Sequence, residues 1–335
     1  MLTKELKTKI VLSSSFDPWY NLALEEYLLD NVEEDEVILY LWQNANTVVI
    51  GSNQNTWKEC RISEIEKNKG KIARRLSGGG AVFHDLGNLN FTFILSKQLY
   101  DLDKQLSVII NAVRKQGINA EFVGRNDIEV EGKKFSGNAF YFTDRTAYHH
   151  GTILIDVDIS KLTDYLQVLE EKIVSKGIDS VQARVINLKN LNPNITIESM
   201  KESLKESFVE IYPSNCKEYL VEKDNPRLQE LYSKYSSWNW IYGESPSFDI
   251  VFENKFSWGA IELCLSLKKA IIEKAVIYSD AMNNTLIARI ADSIKGATFN
   301  IEEICSRLKT VNIDENEKIV LYDLCNWLES KKEYG

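Results

Sequence analysis

A chain of 335 residues that is 44% hydrophobic and 10% aromatic has the apolar mass for two ordinary domain cores, which excludes a disordered or low-complexity polymer. The formal net charge of −9 argues against a nucleic-acid coat or a membrane-surface protein, both of which gather basic residues into patches. Five scattered cysteines without a C-x-x-C, and no run near the roughly 20 apolar residues of a membrane span, are expected of reduced thiols in a soluble cytoplasmic protein.

The opening MLTKELKTKIVLSSS has an apolar run too short for a secretory signal. DPWYNLALEEYLLDN then starts a helix: Asp17 can cap it, Pro18 suits the first turn, and Leu24, Tyr27 and Leu28 share a face. EVILYLW (36–42) and NTVVIG (46–51) are strand-like runs joined by a polar turn, and WKECRISEIEKNKG is helical up to Gly70. RRLSGGGAVFHDLGNLNFTF (74–93) follows, with strand candidates KIARRL and AVFHD on either side of three glycines.

KQLSVIINAVRKQG (104–117) predicts a helix stopping at Gly117; DIEVEGKKFSGNAFYF reads as a hairpin and HHGTILIDVDI as a buried strand. TIESMKESLKESFVEIY (196–212) is the clearest helix, its apolar residues spaced at helical intervals behind a capping Thr196. Gly, Ser and Pro cluster in YGESPS (242–247), which marks a boundary between a domain over 1–243 and a smaller one over 248–335. The smaller one offers three strands (FDIVF, AIELCLSL, AIIEKAVIYS) and three helices (IARIADSI, IEEICSRL, KIVLYDLCNWLESKK), with few groups suited to chemistry.

Consecutive glycines let backbone N–H groups converge on an anion, and Arg75 beside them would add charge-assisted contacts. Neither phosphate-loop pattern fits, so a tight hairpin turn between two strands is the competing reading of the block. His84 alternates with Val82 and faces the same side of its strand. Lys133 reads as a solvated hairpin lysine, while its neighbour Lys134 faces the opposite side and suits a phosphate or carboxylate. Asp127 suits either an Asx turn or a magnesium ion shared with substrate phosphates. Three histidines and no cysteine cluster argue against zinc. Backbone donors, cations and apolar walls together fit an enzyme that joins a nucleotide to an acid.

FDPWYNLALEE, NTVVIG, RRLSGGGAVFHDLGNLNFTF, GRNDIEV, KKFSGNAF and HHGTILI together resemble the lipoate–protein ligases. SSWNWIYGESPSF and FSWGAIELCL extend the likeness to the hinge and accessory domain of the longer bacterial two-domain form. The resemblance implies an α+β fold, with a mixed-sheet catalytic domain of the biotin/lipoate ligase type and a small α+β accessory domain that in some members reorients. It implies that lipoate and ATP-Mg form lipoyl-adenylate, whose acyl group passes to a lysine of a lipoyl domain of a 2-oxoacid dehydrogenase complex or of the glycine-cleavage H protein. By the same likeness Lys134 is the catalytic lysine touching both carboxyl and α-phosphate. Arg75, Gly80, Ala81, Val82 and Phe83 match the ATP segment, and Ser77, Gly78, Gly79, His84 and Asn126 match the lipoate pocket, with Trp42 walling the acyl chain. Asp127 would hold magnesium, and a monomer is expected.

Two other readings remain. An ATP-independent octanoyl- or lipoyl-transferase of the same fold would use a cysteine nucleophile, and Cys60 has no evident base beside it in sequence. A non-catalytic lipoate sensor would need no turnover at all.

Overall fold

The computed structural model describes residues 6–124, 126–166, 184–219, 225–242, 249–268 and 271–331. By packing these divide into two units, the first formed by the described residues of Met1–Ile50, Thr56–Arg75 and Ala81–Ile241. The second takes Gly51–Asn55, Leu76–Gly80 and the described residues of Tyr242–Gly335. Residues 243–248, which hold most of the expected hinge, lie outside the described residues.

The first unit is built on a mixed eight-stranded sheet. Its strands are β1 (Lys7–Leu12), β2 (Glu36–Trp42), β6 (Asn88–Ser96), β7 (Glu121–Val123), β8 (Asp127–Val130), β9 (Lys133–Phe142), β10 (Thr146–Leu154) and β11 (Lys217–Tyr219). They run in the order β11-β1-β2-β6-β10-β9-β8-β7, with β1 parallel to β2 and β11 and the remaining pairs antiparallel. Strands β2 and β6 are buried along their whole length because helices cover both faces. On one face Leu39, Leu41, Phe91, Phe93 and Ile153 pack with Leu106, Ile109, Met200, Leu204 and Phe208 of helices Leu102–Lys115 and Ile197–Ile211. The first of these helices ends before Gly117, which takes a positive φ of 79°, and Thr196 caps the second through a box with Ser199.

Against the opposite face lies α1, Pro18–Asn31, started by Asp17 accepting from the Trp19 N–H. Helix Pro226–Ser236, capped by Asn225, packs on α1. The stretch expected to run helical to Gly70 is instead two short helices, Thr56–Glu59 and Ile62–Lys67. Cys60 breaks it by forming a β-bridge with Leu166, and the Arg61 N–H goes to Tyr165 O at 2.9 Å instead of continuing the helix.

A second sheet overturns the hairpin reading of the glycine block. Strands β4 (Lys71–Arg74) and β5 (Val82–His84) do not pair with each other but flank β3 (Thr47–Ile50), parallel and antiparallel respectively. The segment between them therefore crosses the end of β3. In the second unit β12 (Ile250–Phe256), β13 (Gly259–Lys268) and β14 (Ile271–Ser279) form an antiparallel sheet. Its Ile261, Leu263 and Ile277 pack on helices Asn284–Ser293, Ile301–Leu308 and Lys318–Glu329. All six elements overlap the runs the sequence assigns them, although the first strand, expected over FDIVF, runs on to Phe256 and the start of that expected run lies outside the described residues; the whole is α+β. Among the described residues no helix is long and apolar enough to cross a membrane.

Candidate active site

The alternation of side chains on the large sheet sorts its polar residues by face. Pairing puts Trp42 of β2 opposite Asn90 of β6, Asn90 opposite Thr152 of β10, and Asp127 of β8 opposite Gly137 of β9. The Gly137 N–H donates to Thr152 Oγ1 at 3.2 Å, which closes the remaining step. Trp42, Asn90, Thr152, Gly137 and Asp127 thus form one row straight across five strands, on the face opposite the Leu106–Phe208 core.

Lys134 joins that row through an irregularity. Ile128 pairs with Ser136, but the next residue, Glu129, pairs with Lys134, so Phe135 is the extra residue of a β-bulge. The bulge turns Lys134 onto the Asp127 face, where Nζ lies 2.7 Å from Asp127 Oδ1. A Cβ on Gly137 would come within 3.0 Å of both Cε and Nζ of Lys134, so the ammonium lies in the space that a side chain at 137 would take. The Lys134 backbone is fixed as well: its N–H goes to Arg184 O at 2.8 Å, and its carbonyl accepts from Ile186 N–H at 2.9 Å. Lys133 is exposed, as expected.

At the other end of the face a buried polar chain holds Trp42. Its indole N–H donates to Thr92 Oγ1 at 3.0 Å, the Thr92 hydroxyl donates to Glu25 Oε1 at 2.7 Å, and His150 Nδ1–H donates to the same oxygen at 2.9 Å. Glu25 and Thr92 are almost fully buried. Sequence reading treated Glu25 only as a helix residue and missed this chain. Its neighbour His149 points to the core face, where Nε2 bonds Asn138 Oδ1 at 2.8 Å. Asn138 in turn donates to Asn126 O at 3.0 Å while the Asn126 amide donates to Asn138 O at 3.2 Å, so Asn126 clamps the start of β8 to β9.

His84 meets Trp42 edge-on, with ring centroids 6.2 Å apart, and the Asn44 amide lies 3.2 Å from its Nδ1. Burial, reinforced by the charges of Arg75 and His150, pulls His84 down to about 3, so it is neutral at physiological pH. With Nδ1 accepting from Asn44, Nε2 carries the proton, and it is buried without a hydrogen-bond partner. Arg75 is buried, donates to Val49 O at 3.2 Å, and is lowered by burial to about 10, which leaves it charged. Its neighbour Arg74 is spent on main-chain oxygens of Trp240 and Ile241. Phe83 is buried edge-on to Tyr165, while Ala81 and Val82 remain half-buried.

Ser77, Gly78, Gly79 and Gly80 belong to the second unit. A Cβ on Gly78 would stand 2.3 Å from Ala281 O, and one on Gly51 2.2 Å from Gly79 O. Gly79 has a φ of 91° and donates to Ala281 O at 3.3 Å. Main-chain packing thus accounts for three of these glycines. Gly80 differs: among the described residues a Cβ there would meet nothing within 4 Å, so none of them requires a glycine at this position.

Asp127 is a single carboxylate beside an ammonium, and among the described residues no group of three or more His, Cys, Asp or Glu could hold a metal. One carboxylate is the donor set that suits magnesium carried in on substrate phosphates. None of the five cysteines forms a disulfide. Cys60 is buried, and burial, with Glu59 adding, pushes its thiol up to about 12. At that value the nucleophilic thiolate is scarce at neutral pH.

Comparison with known proteins places the chain in a family. The family model of the lipoyl protein ligase A/B catalytic domain matches residues 17–209, and that of the bacterial lipoate protein ligase C-terminus matches residues 245–328. A lipoate-protein ligase A from Psychrobacter cryohalolentis is 39% identical over 338 residues, covering 98% of this chain and 100% of its own. The crystal structure of P. falciparum LipL1 in complex with lipoate aligns with a TM-score of 0.84 at 31% identity, over 96% of this chain and 99% of that one. A bipartite lipoate protein ligase from Thermoplasma acidophilum, studied with its E2 lipoyl domain, aligns with a TM-score of 0.64 at 25% identity, over 74% and 100%.

Proposed function

The chain belongs to the lipoate–protein ligase family, and we propose that it activates lipoate with ATP and transfers the lipoyl group to a lysine of a lipoyl-carrier domain. The observation that carries this reading is the ammonium of Lys134, held over Gly137 and within 2.7 Å of Asp127 on the polar face of the sheet.

In the first step a lipoate carboxylate oxygen attacks the α-phosphorus of ATP, the bond to the bridging oxygen breaks, and pyrophosphate leaves. Carboxylate and phosphate repel each other, so a cation fixed between them stabilises the transition state more than the separate substrates. Lys134 has that role, and Arg75 adds a buried positive charge on the triphosphate side. Asp127 is the residue that would hold a magnesium ion arriving with the nucleotide, an ion that would supply further charge neutralisation. In the second step a neutral lysine amine of the acceptor attacks the acyl carbon, AMP departs with the mixed-anhydride oxygen, and the nitrogen loses its proton to leave an amide. Lys134 faces the oxygen on which charge then develops. Neutral His84 acts as an N–H donor and wall, with Trp42, for the acyl chain.

No step calls for a protein nucleophile, and the thiol of Cys60, buried and raised to about 12, favours the ligase over a cysteine-based transferase. The T. acidophilum relative works with an E2 lipoyl domain, which supports lipoyl domains of 2-oxoacid dehydrogenase complexes as acceptors; the H protein of glycine cleavage presents the same chemistry. The protein acts as a cytoplasmic monomer in this reading. Lipoate-dependent pyrophosphate release from ATP with no acceptor present tests it. Silence from the folded protein with magnesium supplied would return the transferase and the sensor to consideration.

A further inference from the structure

The row across the sheet contains one polar group that neither the fold nor the catalytic reading uses. Asn90 is 1% exposed, and its Oδ1 accepts from the Asn88 amide at 2.8 Å. Its own Nδ2 is buried with no hydrogen-bond partner. A buried amide left without a partner costs stability, and folding gains nothing from an asparagine there that an apolar residue would not supply better. Pairing sets Asn90 between Trp42 and Thr152 on the face that carries Lys134. The second unpartnered donor, His84 Nε2, belongs to a ring that touches the same Trp42.

Distance along the row fixes where on a substrate this donor would act. From Gly137, over which the Lys134 ammonium lies, to Asn90 is two strand steps, or about 10 Å at the ordinary spacing of strands. An acyl chain whose carboxylate sits at that ammonium advances about 1.3 Å per carbon when extended, so its carbons six to eight lie about 6–9 Å along. The unused N–H therefore meets the far end of an eight-carbon acid. In lipoate that end carries sulfur, a weak acceptor; in octanoate it carries only C–H.

We propose that Asn90 is a specificity-determining residue, its Nδ2 donating to an acceptor atom on carbons six to eight of the acyl acid and thereby selecting such acids over plain alkyl ones. This rests on the ligase reading above. The test compares lipoate, 7-oxooctanoate and octanoate as sole acids, by calorimetric affinity and by KM and kcat for pyrophosphate release. Wild-type protein should bind both acceptor-bearing acids about five- to tenfold more tightly than octanoate, the difference appearing in Kd and KM and not in kcat. In Asn90→Leu, which has the same branched shape but no N–H, the three acids should fall within about twofold of one another. Equal affinities in the wild type, or a preference that survives Asn90→Leu, would overturn the assignment. Equal wild-type affinities overturn the assignment even if Asn90→Leu fails to fold, and in that case Asn90→Asp, which keeps the shape and removes the N–H, takes its place in the comparison. Binding and turnover of all three acids without preference would remove only this inference, whereas no pyrophosphate release with any acid would remove the ligase reading and this inference with it.

Discussion

The Lys134 ammonium reaches Asp127 across a β-bulge, and it lies where a side chain at position 137 would be. The two strands thus fix a cation whose direction depends on the missing Cβ of Gly137 as much as on Lys134 itself. Gly137→Ala puts a methyl group 3.0 Å from Nζ, at the flexible end of a side chain, so folding should be little affected, by less than about 1 kcal/mol. Pyrophosphate release should fall about tenfold or more because the ammonium is displaced. Lys134→Ala should lower it by about 10²–10³ or more with the fold retained by circular dichroism. A Gly137→Ala enzyme of wild-type rate would show that the ammonium is not held where the reaction needs it.

The glycine block separates in the same way. Gly78→Ala forces a Cβ to 2.3 Å from the backbone oxygen of Ala281 and should destabilise the protein by several kcal/mol, seen as a large drop in melting temperature. Gly80→Ala meets no atom of the described residues within 4 Å, so the melting temperature should hold while KM for ATP rises at least about tenfold. An unchanged KM for ATP in the Gly80 variant would detach that residue from the nucleotide.

How far the sequence reached follows from what each signal encodes. Periodicity located α1, the Ile197–Ile211 helix and all six elements of the smaller unit, because each buries one regular face. It could not show that β4 and β5 flank β3, since strand pairing between runs separated by a loop leaves no local trace. Alternation placed Lys134 opposite Lys133, but the bulge that aims it at Asp127 is set by pairing with β8. Glu25 had a readable signal: it stands four residues after buried Asn21 and four before buried Leu29, a carboxylate inside the buried stripe of a helix, where charge needs a partner.

Cys60 separates ligase from thiol chemistry. Cys60→Ala should keep turnover within about twofold and lose about 1 kcal/mol of stability from the small void left in a buried site. Alkylating reagents should react slowly with this thiol in the folded enzyme, because it is buried and raised to about 12. Abolished transfer in Cys60→Ala, with the fold intact, would point to an acyl-thioester route.

Thr92 links Trp42 to Glu25, so Thr92→Val removes the acceptor of the indole N–H and one donor to the carboxylate at nearly constant volume. Two buried groups are left short of partners, at a cost of about 1–3 kcal/mol in urea unfolding. Trp42 loses its anchor at the wall of the acyl pocket, so KM for the acid should rise while KM for ATP stays close to wild type. Equal increases in both would mean that the chain supports the fold generally and not the acyl end.

His84 and His149 give stability a pH dependence of known sign. Burial pulls each down to about 3, Arg75 and His150 adding for His84 and His150 for His149, against about 6.5 in an unfolded chain. Between those values the unfolded state binds protons that the folded state does not. The contribution is therefore complete above pH 6.5 and is lost as pH falls toward 3. Each histidine should lower the unfolding free energy by up to about 1.4 kcal/mol per pH unit below 6. Urea titrations at pH 7, 6 and 5 should show the decline, and His84→Gln should make it shallower by about that amount. A pH-independent midpoint over this range would mean that the two imidazoles are not held neutral in the folded protein, and the donor role of His84 Nε2 would fall with it.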